Sequence, residues 1–180
     1  MGIGARYNLR MLELESAIFF TFKSLGREKI PKIIEYSLIS RTEEFDIFNL
    51  GFGTYNKFER KVLDGEVSNN GDVFKVFNTI LSSIPLFFSL EPNALLMISG
   101  SDSGEQYVSR CRISCTKNCD GLCRNENRRI NIYKKYVEKN YDSLSGAYRF
   151  FGSRFSWDEQ MTFEPFQIGI SYRSIFIKKI

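Results

Sequence analysis

Apolar and polar residues alternate early in the chain. Ile18, Phe20 and Phe22 share one face of an extended segment, as a strand over a core requires. Phe19 points the other way, which suggests cover on that face as well. Ser24-Leu25-Gly26-Arg27-Glu28 then reads as a hairpin turn, and Ile33 to Ile39 as the returning strand. A third strand is expected from about Phe45 to Phe52, ending at Gly51 and Gly53. Ahead of all this, Leu9, Leu12 and Glu13 suit the start of a short helix.

The period changes after the polar stretch Asp64 to Asp72. Val73, Val76, Phe77, Ile80, Leu81 and Ile84 recur at helical spacing, the clearest helix signal in the chain. Asn70-Gly71 favours a turn, and Asp72 suits the N-cap. Pro85 is expected to kink or end the helix, with Glu91-Pro92-Asn93 as a firm stop. Ala94 to Ser99 is a short apolar run of strand length that delivers the chain into Gly100-Ser101-Asp102-Ser103. A second helix fits Asn127 to Ser145, with Ile130, Tyr133, Val137, Tyr141 and Leu144 as its buried stripe and Gly146 at its end. Tyr148 to Phe151, Met161 to Phe163 and Tyr172 to Ile177 read as closing strands. The order βββαβα followed by closing strands predicts an α+β fold, a mostly antiparallel sheet with two main helices.

Two short polar loops carry the candidate chemistry. Ser68 to Asp72 and Gly100 to Ser103 each precede a helix-like segment, where unpaired backbone N–H groups attract anions. If the third strand, first helix and fourth strand form a right-handed crossover, both loops lie near one region of the sheet. Asn69, Asn70, Ser101 and Ser103 would then supply hydrogen-bond donors, and Lys75, Arg128 and Arg129 charge. That donor set suits a phosphate, nucleotide or RNA ligand. Asp72 and Asp102 fit an anion less well. They suit a divalent metal, as in a metal-dependent nuclease or nucleotide-modifying enzyme, or plain caps.

Composition narrows these readings. The chain has 180 residues, enough for one domain with a sizeable core. Hydrophobic residues make up 43% and charged residues 26%, which excludes a disordered chain. The 17 Phe and 9 Tyr favour strands and an aromatic core. A net charge of +4 permits a polyanionic partner without arguing for one. There is no histidine, so Ser-His-Asp, Cys-His and imidazole–metal chemistry are excluded. The apolar run from Ala17 to Phe22 is too short for a signal-peptide core or a membrane span, so a cytoplasmic protein with no membrane partner is expected.

All four cysteines fall in one segment. Cys111, Cys115, Cys119 and Cys123 stand four apart, and Asp120-Gly121 offers a bend to bring the last one round. Three outcomes compete: a tetrahedral zinc site, free thiols on a helix face, and disulfides, which the cytoplasm disfavours. Arg110, Arg112, Lys117 and Arg124 lie among them and would lower thiol pKa values. A zinc-stabilised module that docks a protein partner, without catalysis, is a further reading.

The chain also resembles a bacterial family of uncharacterised proteins, a domain of unknown function. The resemblance rests on Phe48-Asn49-Leu50-Gly51-Phe52-Gly53, Val67-Ser68-Asn69-Asn70-Gly71-Asp72 with Lys75, and Gly100-Ser101. It continues through Ile132-Tyr133-Lys134 and Glu164-Pro165-Phe166 to a terminal strand with Tyr172. It implies a compact α+β domain over 1–180, with a Cys-rich insertion at about 105–127. It implies no activity. By analogy alone, such families sit in toxin–antitoxin or phage-defence neighbourhoods.

Overall fold

The computed structural model describes all residues except 1–3, 15–16, 57–60, 64–69, 116, 118, 120–122 and 156–161. The chain divides into two compact units, residues 1–94 and 95–180.

In the N-terminal unit four strands form an antiparallel meander. They are β1 (Arg10–Leu14), β2 (Ala17–Leu25), β3 (Lys29–Arg41) and β4 (Asp46–Asn56), each paired with the next. The short β5 (Lys61–Leu63) adds to β4. Residues 10–14 therefore extend rather than coil. Leu12 sits opposite Phe19, and pairing along β2 satisfies backbone groups that so short a helix would leave open at both ends. β2 alternates as its pattern demands, with Ile18, Phe20, Phe22 and Ser24 buried.

The helix α1 (Val73–Leu90) gives this unit its core. It runs unbroken through Pro85 and stops at Glu91, whose N–H donates to the carbonyl of Phe87. A proline there removes one N–H, at a cost of about 3 kcal/mol. Buried residues on both sides, Leu81 and Ile84 before it and Phe87 and Phe88 after it, hold the helix together across the gap. Tyr36 stacks on Phe87 with ring centroids 4.4 Å apart, and its hydroxyl meets Ser83 Oγ at 2.6 Å. Phe20 and Phe48 close on this pair edge-on. By length and apolar composition α1 could cross a membrane. Its aromatic contacts with β3 and β4, and the buried hydroxyls of Thr79, Ser82 and Ser83, are those of a core helix.

The C-terminal unit holds β6 (Leu95–Ser99), α2 (Glu105–Ser114), α3 (Arg128–Leu144), β7 (Tyr148–Ser153), β8 (Glu164–Pro165) and β9 (Ser174–Lys179). Its strands lie in the order β6-β9-β7-β8, all antiparallel. β6 and β9 are buried through most of their length, and α3 packs on both, burying Ile130 and Val137. The α+β class and the antiparallel sheet follow the sequence pattern. β1, β5 and α2 are additions. Of the strand expected over Met161 to Phe163, the described residues 162–163 are not extended into the sheet, which is joined instead by Glu164–Pro165 (Met161 lies outside the described residues).

The Tyr36–Phe87 stack should dominate the stability of the N-terminal unit. Phe87→Ala is expected to cost about 3–5 kcal/mol and Tyr36→Phe about 1 kcal/mol in urea unfolding. Equal costs would deny the stack that place.

Candidate functional site

The first polar loop works as a clamp. Asp72 Oδ2 accepts hydrogen bonds from the Tyr7 hydroxyl and from Ser24 Oγ, both at 2.7 Å. Asn70 Nδ2 donates to Ser24 Oγ at 2.8 Å and to the carbonyl of Glu28, while its Oδ1 accepts the Glu28 N–H. The N-terminal segment, the β2–β3 hairpin and the start of α1 are thus tied at one point. A side chain on Gly26 would fall 2.6 Å from Asn70 Cβ, so the close approach requires glycine there. Asp72 occupies the N-cap position, yet its carboxylate makes no capping bond, because both hydroxyls claim it. Partial burial, with the Asp72 charge adding to it against the Leu25 hydrogen bond, raises the Tyr7 pKa, so Tyr7 stays a donor.

Lys75 is also engaged. Its ammonium stands 4.0 Å from the centroid of the Tyr7 ring. Tyr7 stacks on Phe22, and Phe22 on Phe52, with Lys32 over the far end of the row. Asn69 lies outside the described residues, as do Ser68 and the Asp120-Gly121 bend. No local pattern marks Tyr7 or Ser24 as members of this cluster. Tyr7 stands 65 residues from Asp72 in the chain, and Ser24 stands 48.

The second loop meets the start of α3 across about 25 residues of chain. Asp102 Oδ2 accepts the Arg129 N–H at 2.9 Å, and the Asp102 carbonyl accepts the Asn127 N–H at 3.0 Å. The Arg129 guanidinium donates to Ser101 Oγ. Asn127 enters the helix with φ of 59°, the left-handed region that asparagine tolerates. Three expected ligands, Ser101, Asp102 and Arg129, therefore come together, with Arg128 exposed beside them. A carboxylate of the chain itself takes the helix-start amide that the sequence pattern offers to a ligand. Asp102 Oδ1, Ser103 Oγ and Asn127 Oδ1 are buried without a protein partner. The first two crowd Gly100, whose added Cβ would lie 2.6 and 2.8 Å from them.

The two loops belong to different compact units, and each builds its cluster from residues of its own unit.

The four thiols form a third cluster, within the C-terminal unit. Cys111 lies in the last turn of α2, and Cys115 follows the helix in extended backbone. Cys111, Cys115, Cys119 and Cys123, with Arg112, line one hollow of about 110 Å³. Cys115 Sγ and Cys119 Sγ are 3.6 Å apart. The Asn125 amide donates to Cys111 Sγ at 3.3 Å and lies 3.9 Å from Cys115 Sγ, and the Arg124 N–H donates to Cys119 Sγ at 3.4 Å. No disulfide joins them. The Asn125 bond, aided by the Lys117 charge, lowers the Cys111 pKa. At Cys115 the Lys117 backbone N–H pulls downward, but hydrogen bonding to Cys119, desolvation and Cys111 outweigh it, and the pKa rises. Burial, and after it the charges of Cys111, Asp102 and Cys123 against that of Arg129, raises the pKa of Tyr107 on α2. Among the described residues, no group of three or more Cys, Asp or Glu side chains is placed to hold a metal ion as it stands.

A family model described as a family of unknown function (DUF6934) matches residues 5–118. The chain belongs to this family. The DUF6934 match takes in Tyr7, Ser24, Asn70 and Asp72 of the clamp, the Gly100–Ser103 loop and α2, and it ends before Cys119. No curated protein and no solved structure matches the chain.

Removing the clamp's acceptor should be costly. Asp72→Ala leaves two partly buried hydroxyls without their acceptor and is expected to lose about 2–3 kcal/mol in chemical denaturation. The neighbouring exposed Val73→Ala should stay within about 0.5 kcal/mol of wild type. Gly100→Ala, which crowds Asp102 and the Ile130 amide, is expected to cost about 1–3 kcal/mol. Wild-type stability in Asp72→Ala would show that the clamp is not a support.

Proposed function

We propose that this protein acts by binding, and that its C-terminal unit holds the phosphate backbone of single-stranded RNA. The observation that carries the reading is the concentration of cations around the second loop and the thiol hollow. Between residues 105 and 129 there are six basic and three acidic residues, so this stretch supplies most of the chain's net charge of +4. Arg110, Arg112, Lys117, Arg124 and Arg128 are exposed. Arg112 lines the hollow, Arg124 is fixed through its N–H on Cys119, and Arg128 opens α3 beside the Ser101–Arg129 contact.

Guanidinium groups pair with phosphate in bidentate fashion and keep their charge at any working pH. A row of them on one short segment suits a chain of phosphates better than a single free nucleotide. Side-chain cations carry the binding in this reading, because Asp102 holds the α3 amide. A metal-dependent nuclease would need the Asp72 and Asp102 carboxylates open to an ion. Asp72 Oδ2 already accepts two hydroxyls and Asp102 Oδ2 a backbone N–H, which favours binding over that chemistry.

Fluorescence anisotropy with a labelled single-stranded RNA, run at several salt concentrations, tests this. Each phosphate neutralised contributes about −0.7 to the slope of log K against log salt. Arg124→Gln with Arg128→Gln should weaken binding and flatten that slope by about 1.4. Unchanged affinity and slope in the double variant, or no binding by wild type at low salt, would overturn the reading. Full competition by a free mononucleotide at equal phosphate concentration would move the ligand class from RNA to nucleotide.

A further inference from the structure

We propose that Cys111, Cys115, Cys119 and Cys123 hold one structural zinc ion that staples the segment between α2 and α3. The inference is independent of RNA binding and is read by a different measurement.

Four observations converge on it. All four cysteines of the chain face a single hollow, and among the described residues Arg112 alone shares its wall. Zinc bound by thiolates sits about 2.3 Å from each sulfur, so the edge of its tetrahedron is about 3.8 Å. The Cys115–Cys119 separation of 3.6 Å is already close to that edge. Closing the other sulfurs on the ion is the adjustment that the proposal requires.

The donors around the sulfurs point the same way. The Asn125 amide and the Arg124 backbone N–H both aim at sulfur, the pattern that holds and orients metal-bound thiolates. Four thiolates on zinc leave a net charge of about −2, and Arg112 and Lys117 stand ready to offset it. Thiols packed only as apolar side chains would call for none of these donors.

The last observation concerns what else could hold the segment. No described residue of α2 is buried, and Ile113 is 89% exposed. A helix of ten residues with no apolar anchor is marginal in water. Small elements that lack a core are held by disulfides or metals, and no disulfide is present here. The ligand set contains only sulfur, which selects zinc over magnesium or calcium.

Metal analysis of the full-length protein, purified without chelators and under reducing conditions, is the test. About one zinc per chain is expected, falling to below a tenth of that in Cys111→Ser with Cys123→Ser. Should this variant fail to fold, wild type offers a second reading. Stripping with a chelator and loading cobalt(II) should give the intense visible bands of a tetrahedral four-sulfur site. Zinc should then protect all four thiols from alkylation. Three results would overturn the proposal: zinc retained by the double serine variant, iron with visible absorption in place of zinc, or thiols alkylated equally fast with and without zinc.

Discussion

Asp72 carries the arrangement of the N-terminal unit on one oxygen. Two hydroxyl groups donate to Oδ2, one from the segment before β1 and one from the end of β2. The same residue begins α1, whose aromatic face makes the core. Without that acceptor, the partly buried Tyr7 and Ser24 hydroxyls would each pay the cost of a lost partner. Asn70 extends the tie to the hairpin turn through its contacts with Glu28 and Ser24. Helix, hairpin and N-terminal segment are thus held in register by side chains that share one short loop. A turn residue that looks like a helix cap in the sequence serves here as a junction between three elements.

Asp102 plays a comparable part in the C-terminal unit by different means. Its carbonyl and carboxylate receive the N–H groups of Asn127 and Arg129 at the entry to α3, which fixes where that helix starts after the long thiol-bearing segment. A helix start pairs well with negative charge, and the chain supplies that charge itself. The consequence for recognition is direct. Any anion that binds here must be held by guanidinium and ammonium groups, which makes its affinity strongly dependent on salt and weakly dependent on backbone geometry.

Much of the scaffold was legible in the sequence because its signals are local. The alternation of Ile18, Phe20 and Phe22 and the helical recurrence from Val76 to Ile84 each report one core-facing side, buried but for the half-buried Phe77, while Val73 at the helix start is exposed. Pro85 does not end the helix, because burial on both sides of it, which no short window contains, outweighs the local penalty. Residues 10–14 misled for a similar reason, as their partner strand lies outside the window that suggests a helix. The clusters were legible only in part. Asn70, Asp72, Ser101 and Asp102 could be picked out by their turn chemistry, whereas Tyr7 and Ser24 become visible only when the chain folds back. Lys75 looked like a free charge and instead caps an aromatic row, a role set by the position of Tyr7.

The thiol segment shows why spacing and burial must be weighed together. Four cysteines at intervals of four would line one face if α2 continued, and their sulfurs would then be strung along a helix axis rising 1.5 Å per residue. Over the twelve residues from Cys111 to Cys123 that axis would spread them across about 18 Å, too far for one ion. The helix instead ends at Ser114, and Cys115 takes extended backbone. Breaking the helix there costs backbone hydrogen bonds in a segment with no apolar anchor. It also brings the four thiols to the wall of one hollow, with the Asn125 amide and the Arg124 N–H donating to two of them. The break is therefore best explained by the hollow it creates.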